Sequence, residues 1–236
     1  MNIAVIPARG GSKRIANKNI RPFCGKPMIA WSIGAALTSG LFDRVIVSTD
    51  SDEIAQIALS YGAEVPFIRP TELSTDHCGT IPVIAHAINE IRSTGASVNR
   101  VCCIYATAPF ISKDDLIAAS SKLDLPGVRF SFPVARFQSP IQRAIRIDVS
   151  GLASMFEPES FHQRSQDLEP AYHDAGQFYW GLTGAWLENT VMFSTISAPI
   201  VIPSYRVQDI DTEDDWVRAE FMFRAIKESL LPTTDL

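Results

Sequence analysis

The 236-residue sequence predicts an α/β fold, a doubly wound and mostly parallel sheet, on three observations. Short, β-branched apolar runs recur along the first half, and helix-length stretches bounded by capping residues separate them. The composition, 46% hydrophobic and 20% charged, is that of a chain able to bury a full core. Strands alternating with helices of this length imply βαβ units, and right-handed crossovers make a doubly wound sheet the default.

Residues 3–6 are wholly apolar, the pattern of a strand buried on both faces. A glycine-rich basic loop follows, through Asn19. Pro27 opens a helical pattern with Ile29, Ala30, Ile33 and Leu37 that stops at Gly40. Residues 44–48 are a second buried strand. Asp50-Ser51 caps a helix carrying Ile54, Ile57, Ala58 and Tyr61, with Gly62 as its stop. Residues 65–68 read as a third strand. A polar loop, 69–80, leads into a helix with Ile81, Ile84, Ala85, Ile88 and Ile91. Residues 101–104 are a fourth strand. Ser112 caps the next helix, and Asp114 and Asp115 fall in its first turn, where carboxylates complement the helix dipole.

After Pro126 the pattern changes. Residues 129–135, 141–149 and 152–156 look extended, with Ser150-Gly151 as a hairpin turn, and a polar arm runs over 157–175. Residues 177–182 are strand-like, Trp186 lies in a short helix, 200–202 form a short strand, and Thr212 begins the last helix. No linker divides the chain. Residues 1–236 therefore read as one domain with an inserted arm at roughly 130–175.

The net charge of −5 lacks the basic excess of a nucleic-acid binder, so affinity for phosphate must come from a local cluster of cations. Cys24, Cys78, Cys102 and Cys103 form no CxxC pair and no zinc spacing; Cys102 and Cys103 sit inside an apolar run and are expected to be buried thiols, and a reducing cytoplasm fits. The N-terminus reads as a strand and not a signal peptide, and no apolar run is long enough to span a membrane.

In open α/β sheets, ligands bind beyond the carboxyl ends of the strands. The loop after the first strand holds Arg9, Gly10, Gly11, Ser12, Lys13, Arg14, Lys18 and Asn19. Glycines allow close backbone approach to a phosphate, and Arg9, Lys13 and Lys18 suit a leaving pyrophosphate. The spacing is neither a Walker loop nor GxGxxG. A solvated basic loop is the competing reading. Asp209-Ile210-Asp211 places two carboxylates on one side of an extended segment, a donor pair for one hard cation; the competing reading makes this cluster the cap and acidic first turn of the last helix. The loop from Arg69 to Thr80 offers partners for a base or ribose, or is a surface loop. In the arm, Arg164 suits a bidentate carboxylate contact, and His173, Gln177, Phe178 and Tyr179 lie close by; subunit contact is the plainer use.

Together these residues resemble the synthetases that join CMP to acidic sugars. The likeness lies in Ile6-Pro7-Ala8-Arg9-Gly10-Gly11-Ser12-Lys13 with Lys18-Asn19, in residues 45–51, in Arg69-Pro70 with Glu72-Leu73, Asp76 and Thr80, and in Asp209-Ile210-Asp211-Thr212, in order along nearly the whole chain. The resemblance implies a nucleotide-diphospho-sugar transferase-like, Rossmann-related fold, a homodimer whose arm crosses to the partner, and a CTP-dependent nucleotidyltransferase with Mg²⁺. It implies that Ala8, Arg9, Gly10, Ser12, Lys13, Lys18 and Asn19 bind the triphosphate, Arg69 and Thr80 the cytidine, and Asp209 and Asp211 the metal, with Arg9, Lys13, Lys18 and Asp211 acting in catalysis. Tyr105, Thr107, Arg164, His173, Gln177, Phe178 and Tyr179 are the expected sugar pocket. Ile104-Tyr105-Ala106-Thr107-Ala108-Pro109 departs from the sialic acid enzymes, and residues 164–180 are similar to the branch acting on pseudaminic acid, a nine-carbon acidic sugar. Another nucleotidyltransferase, a metal-dependent glycosyltransferase and a nucleotide sensor are the rival readings.

Overall fold

In the computed structural model, which describes residues 1–229, the chain opens with β1 (Asn2–Pro7). A small hairpin, β2 (Pro22–Phe23) and β3 (Lys26–Pro27), leads into α1 (Met28–Ser39). Then come β4 (Arg44–Ser48), α2 (Asp52–Ser60), α3 (Thr80–Ser93), β5 (Arg100–Ile104) and α4 (Lys113–Lys122). The second half holds β6 (Phe130–Ser131), β7 (Pro133–Arg136), β8 (Ile145–Ile147), β9 (Ala153–Met155), β10 (Tyr172–Asp174) and β11 (Phe178–Leu182). It closes with α5 (Thr183–Leu187), β12 (Ile200–Val201) and α6 (Glu213–Ser229).

The main sheet has the order β4–β1–β5–β11–β6. β1 is parallel to both β4 and β5, while β11 runs antiparallel to β5 and β6, so the sheet is mixed. Alternation along β1 sorts the helices. Ala4 and Ile6 pack with α1, α2 and α4 through residues such as Ile33, Ile54 and Leu116. Ile3 and Val5 pack with α3 and α5 through Ile84, Ile88 and Trp186. With both faces covered, the only open routes to the strands are their ends.

The start and stop signals behave physically as read. Ser51 and Ser112 accept hydrogen bonds from the amides of Ile54 (3.4 Å) and Asp115 (3.2 Å). Gly40 ends α1 at φ 69°, a left-handed conformation that glycine adopts without strain. Thr212 and Asp215 cap α6 reciprocally: Thr212 Oγ1 accepts from Asp215 N at 3.2 Å, and Asp215 Oδ2 accepts from Thr212 N at 2.9 Å.

Residues 65–68 do not form the expected third strand. Only Glu64 bridges to Ile46, because Pro66 has no N–H to continue a ladder. A separate three-stranded sheet, β10–β7–β12, anchors the base of the arm, whose β8–β9 hairpin turns at Gly151 with φ 81°. A third apolar cluster packs Trp216 and Phe223 of α6 edge-on against Phe23, each 5.4 Å between ring centres, and buries Ile210. That burial fixes the Asp209–Asp211 segment against the fold.

Gly181 in β11 tests the closeness of this packing. A methyl group there would lie 2.5 Å from Trp186 Nε1 and 2.6 Å from Phe130 Cε1. Gly181→Ala is expected to destabilise the protein by about 1–3 kcal/mol through overpacking. Urea unfolding reads this directly, and an unchanged midpoint would show that the two aromatic rings yield.

Candidate active site

Beyond the carboxyl ends of β1 and β4, the basic loop folds over a cleft of about 660 Å³. Arg9, Ser12, Lys13, Lys18, Arg69 and Thr80 line it, with Arg14, Asn19, Asp76 and Tyr105 completing the wall. The loop is held from within. Ala8 is buried and its amide donates to Ser48 O at 2.9 Å; the amide of Gly10 donates to Asp50 Oδ1 at 2.9 Å; Asn19 Nδ2 donates to Arg9 O at 3.0 Å. A Cβ on Gly10 would sit 3.1 Å from Ser51 Cβ, so this glycine serves close approach to the start of α2.

Each cation of the loop has a carboxylate partner. Asp76 bridges Arg9 and Lys13, with Lys13 Nζ at 2.5 Å. Hydrogen bonds from Lys13 and then Arg9 hold the Asp76 carboxyl down at about 2. Asp211 joins Arg14 at 2.5 Å to Lys18 at 3.3 Å, and Lys18 Nζ also donates to Ile210 O at 2.6 Å.

Arg69 differs. It is buried, its Nε donates to Ser74 Oγ at 3.2 Å, and its Nη2 lies 3.6 Å from Asp50 without a hydrogen-bond partner. Burial pulls its pKa down against the opposing effect of Asp50. A buried, charge-bearing donor left unmet is unfavourable, and an acceptor oxygen entering the cleft removes that penalty. The first turn of α3 also opens here through Gly79 and Thr80; unlike α2, α4 and α6 it carries no acidic residue, so its positive end remains available to an anion.

A second cavity, about 510 Å³, shares Tyr105 with the first; His173, Asp174, Tyr179, Gln208 and Asp209 also line it. Tyr105 OH lies 3.2 Å from Thr80 Oγ1, and its ring centre is 5.4 Å from that of Tyr179. Tyr179 OH donates to Asp174 Oδ2, and Asp174 Oδ1 accepts from Gly176 N at 3.1 Å. Burial raises the pKa of both tyrosines, which keeps them neutral donors. Asp209 and Asp211 flank buried Ile210, so Asp209 reaches the second cavity while Asp211 holds cations of the first. Among the described residues no group of three or more His, Cys, Asp or Glu could hold a metal.

The structure thus gathers Arg9, Ser12, Lys13, Lys18, Asn19, Arg69 and Thr80 at one cleft, and Tyr105, His173, Tyr179 and Asp209 at its neighbour. Four expected sugar residues fall elsewhere. Phe178 is fully buried in the core facing α1 and α4, because alternation along β11 sends it opposite to Tyr179. Gln177 is buried and its Nε2 donates to Arg206 O at 2.6 Å. Thr107 lines neither cavity. Arg164 sits exposed on the arm, paired with Asp167 at 2.8 Å. Sequence reasoning assigned no role to Arg14, Asp174 or Gln208. The Asp174-Ala175-Gly176 turn, in which the aspartate accepts from the glycine amide, is the signal that marks Asp174.

Comparison with known proteins gives one consistent picture. A family model described as cytidylyltransferase matches residues 3–176. A pseudaminic acid cytidylyltransferase of Campylobacter jejuni is 44% identical over 97% of this chain and 98% of its own length. A CMP-N,N'-diacetyllegionaminic acid synthase of Legionella pneumophila is 32% identical over 97% of this chain and 99% of its own. The fold is similar to a solved CMP:2-keto-3-deoxy-manno-octonic acid synthetase complexed with CTP, with a TM-score of 0.68 and 16% identity over 97% of this chain and 99% of that one.

The Asp76 pairing has a readable pH signature. Its native pKa lies below its ordinary value of 3.8, so the pairing is complete above about pH 4 and is lost as pH falls toward 2. Carboxyl-carbon NMR of Asp76 should titrate near 2. A midpoint at the ordinary value would show that Arg9 and Lys13 do not hold this side chain in solution.

Proposed function

Because the chain belongs to the cytidylyltransferase family, we propose that it transfers CMP from CTP to the anomeric hydroxyl of a nine-carbon acidic sugar, pseudaminic acid, and releases pyrophosphate. The observation that carries this reading is the meeting of a cation-lined cleft and a second cavity at Tyr105. The high identity to a pseudaminic acid enzyme along nearly the full length supports the choice of sugar.

In this reading the triphosphate lies along Arg9, Ser12, Lys13, Lys18 and Asn19, with Ala8 and Gly10 shaping the loop. Arg69, with its unmet Nη2, and Thr80 hold the cytidine. The sugar occupies the second cavity against Tyr105, His173 and Tyr179. Its hydroxyl oxygen bonds to the α-phosphorus in line as the bond to the β-phosphate oxygen breaks, and the hydroxyl proton passes to solvent. Arg9, Lys13 and Lys18 neutralise the charge that grows on the leaving pyrophosphate; no side-chain nucleophile is needed, since positioning and preorganised charge supply the catalysis. Asp209 and Asp211 are hard oxygen donors of the kind that hold Mg²⁺ together with nucleotide phosphates. Such an ion supplies charge neutralisation at the phosphates and acidifies a nearby hydroxyl. Asp211 must then release Lys18 and Arg14, which frees both for phosphate.

The arm carries Ile145, Ile147, Leu152, Phe156 and Phe161 with large exposed surfaces, a concentration of apolar area suited to a second copy of this chain. A homodimer built through the arm also gives Arg164 a place to act, at the partner's sugar rather than its own.

Pyrophosphate release from CTP, assayed with Mg²⁺ and a panel of acidic sugars, tests the reading. Release is expected with pseudaminic acid; none with that sugar overturns it. Lys18→Ala is expected to lower kcat by ~10²–10³-fold, the worth of one preorganised contact, and Asp211→Ala to abolish turnover while CTP still binds. A near-normal rate for the latter removes the metal assignment. For the arm, light scattering should show a dimer that Ile147→Asp with Phe156→Asp converts to monomer; a monomeric parent chain would refute it.

A further inference from the structure

The two cavities differ in charge. Every lysine and arginine of the site lines the first cavity; among the described residues none lines the second, which holds the carboxylates of Asp174 and Asp209. Asp174 has no ion-pair partner among the described residues. It is also held rigidly. It ends β10, where it pairs with Val134 of β7, and its two oxygens accept from Tyr179 OH and Gly176 N. One donor per oxygen leaves each with a second lone pair, and the residue is exposed toward the cavity. The tyrosine that orients it is itself buried and packed against Tyr105, the residue common to both cavities.

We infer that Asp174 is a specificity-determining residue that accepts hydrogen bonds from neutral N–H or O–H groups of the sugar and, by its uncompensated charge, turns the sugar's own carboxylate away from this wall. The inference rests on the cytidylyltransferase reading and adds to it the chemical basis of selection. A fixed carboxylate with free lone pairs discriminates strongly between a ligand group that donates and one that does not, because a missing donor leaves it facing only acceptors. The acylamino groups of a nonulosonic acid supply such donors. A simple carboxylate ligand, or the triphosphate itself, is repelled from the same position.

The experiment is a coupling measurement by pyrophosphate release. For Asp174→Asn, KM for pseudaminic acid is expected to rise about tenfold or more, while KM for CTP stays within twofold, which also shows that the variant folds. Tyr179→Phe, which removes one orienting hydrogen bond, is expected to raise the same KM by a smaller factor. Analogues with an acetamido N–H replaced by an ester oxygen, or with one hydroxyl removed, are then compared. For at least one, the loss in kcat/KM seen with the parent enzyme should vanish in Asp174→Asn. An unchanged KM for the sugar in that variant, or losses that persist for every analogue, overturns the inference. Failure of the parent enzyme to release pyrophosphate with the sugar is a different result and overturns the underlying activity instead.

Discussion

The carboxylate of Asp50 ties the two walls of the basic cleft together. It accepts from the amide of Gly10 at 2.9 Å and stands 3.6 Å from Arg69 Nη2, so one anion joins the loop after β1 to the segment that follows residue 64. The two meet because β1 and β4 pair in parallel with Pro7 opposite Ser48, which brings both carboxyl ends to one edge. Arg69 is buried, and without Asp50 it would have no counter-charge, an expensive state for any guanidinium. The same approach explains Gly10. Its φ is ordinary; what the position needs is the absence of a Cβ against Ser51.

A chain of net charge −5 binds a triphosphate on this account by local exchange of anions. Arg9 and Lys13 share Asp76, and Arg14 and Lys18 share Asp211, four cations against two carboxylates. Under the proposed function a polyphosphate would replace these weaker, partly exposed pairings with a denser charge. The pairs themselves are exposed and contribute little to folding. Their value lies in placement.

The parallel core was legible because each of β1, β4 and β5 is a short apolar run followed by a capped helix, and burial on both faces forces that pattern. The basic loop was legible for the same reason: it follows a strand whose end must open to solvent. Strand direction after Pro126 was not. An apolar run reads alike in either direction, and β11 returns antiparallel to β5. Pro66 outweighed the β-branched residues beside it in 65–68. At the second cavity, the Phe178–Tyr179 pair was read as a patch when the strand period allows only one of the two to face it. Arg164 differs: its chemistry suits a carboxylate, but nothing in sequence spacing reveals that the arm carries it away from its own cleft, where it pairs with Asp167.

Segregation of charge between the cavities addresses a difficulty that any enzyme joining two anions faces. Both substrates are attracted to the same cations, so a site with lysines and arginines throughout would let the sugar's carboxylate occupy the phosphate positions. Here the cations stop at Tyr105. Beyond it lie tyrosine hydroxyls and the carboxylates of Asp174 and Asp209, and no lysine or arginine among the described residues; in the proposed reading Asp174 accepts from the sugar while Asp209 is kept for the metal. Tyr105 touches Thr80 on one side and packs on Tyr179 on the other, and burial keeps its hydroxyl protonated. It therefore marks the boundary between the cavities, and under the proposed function a neutral, well-packed ring there would hold two mutually repelling ligands close without lending charge to either.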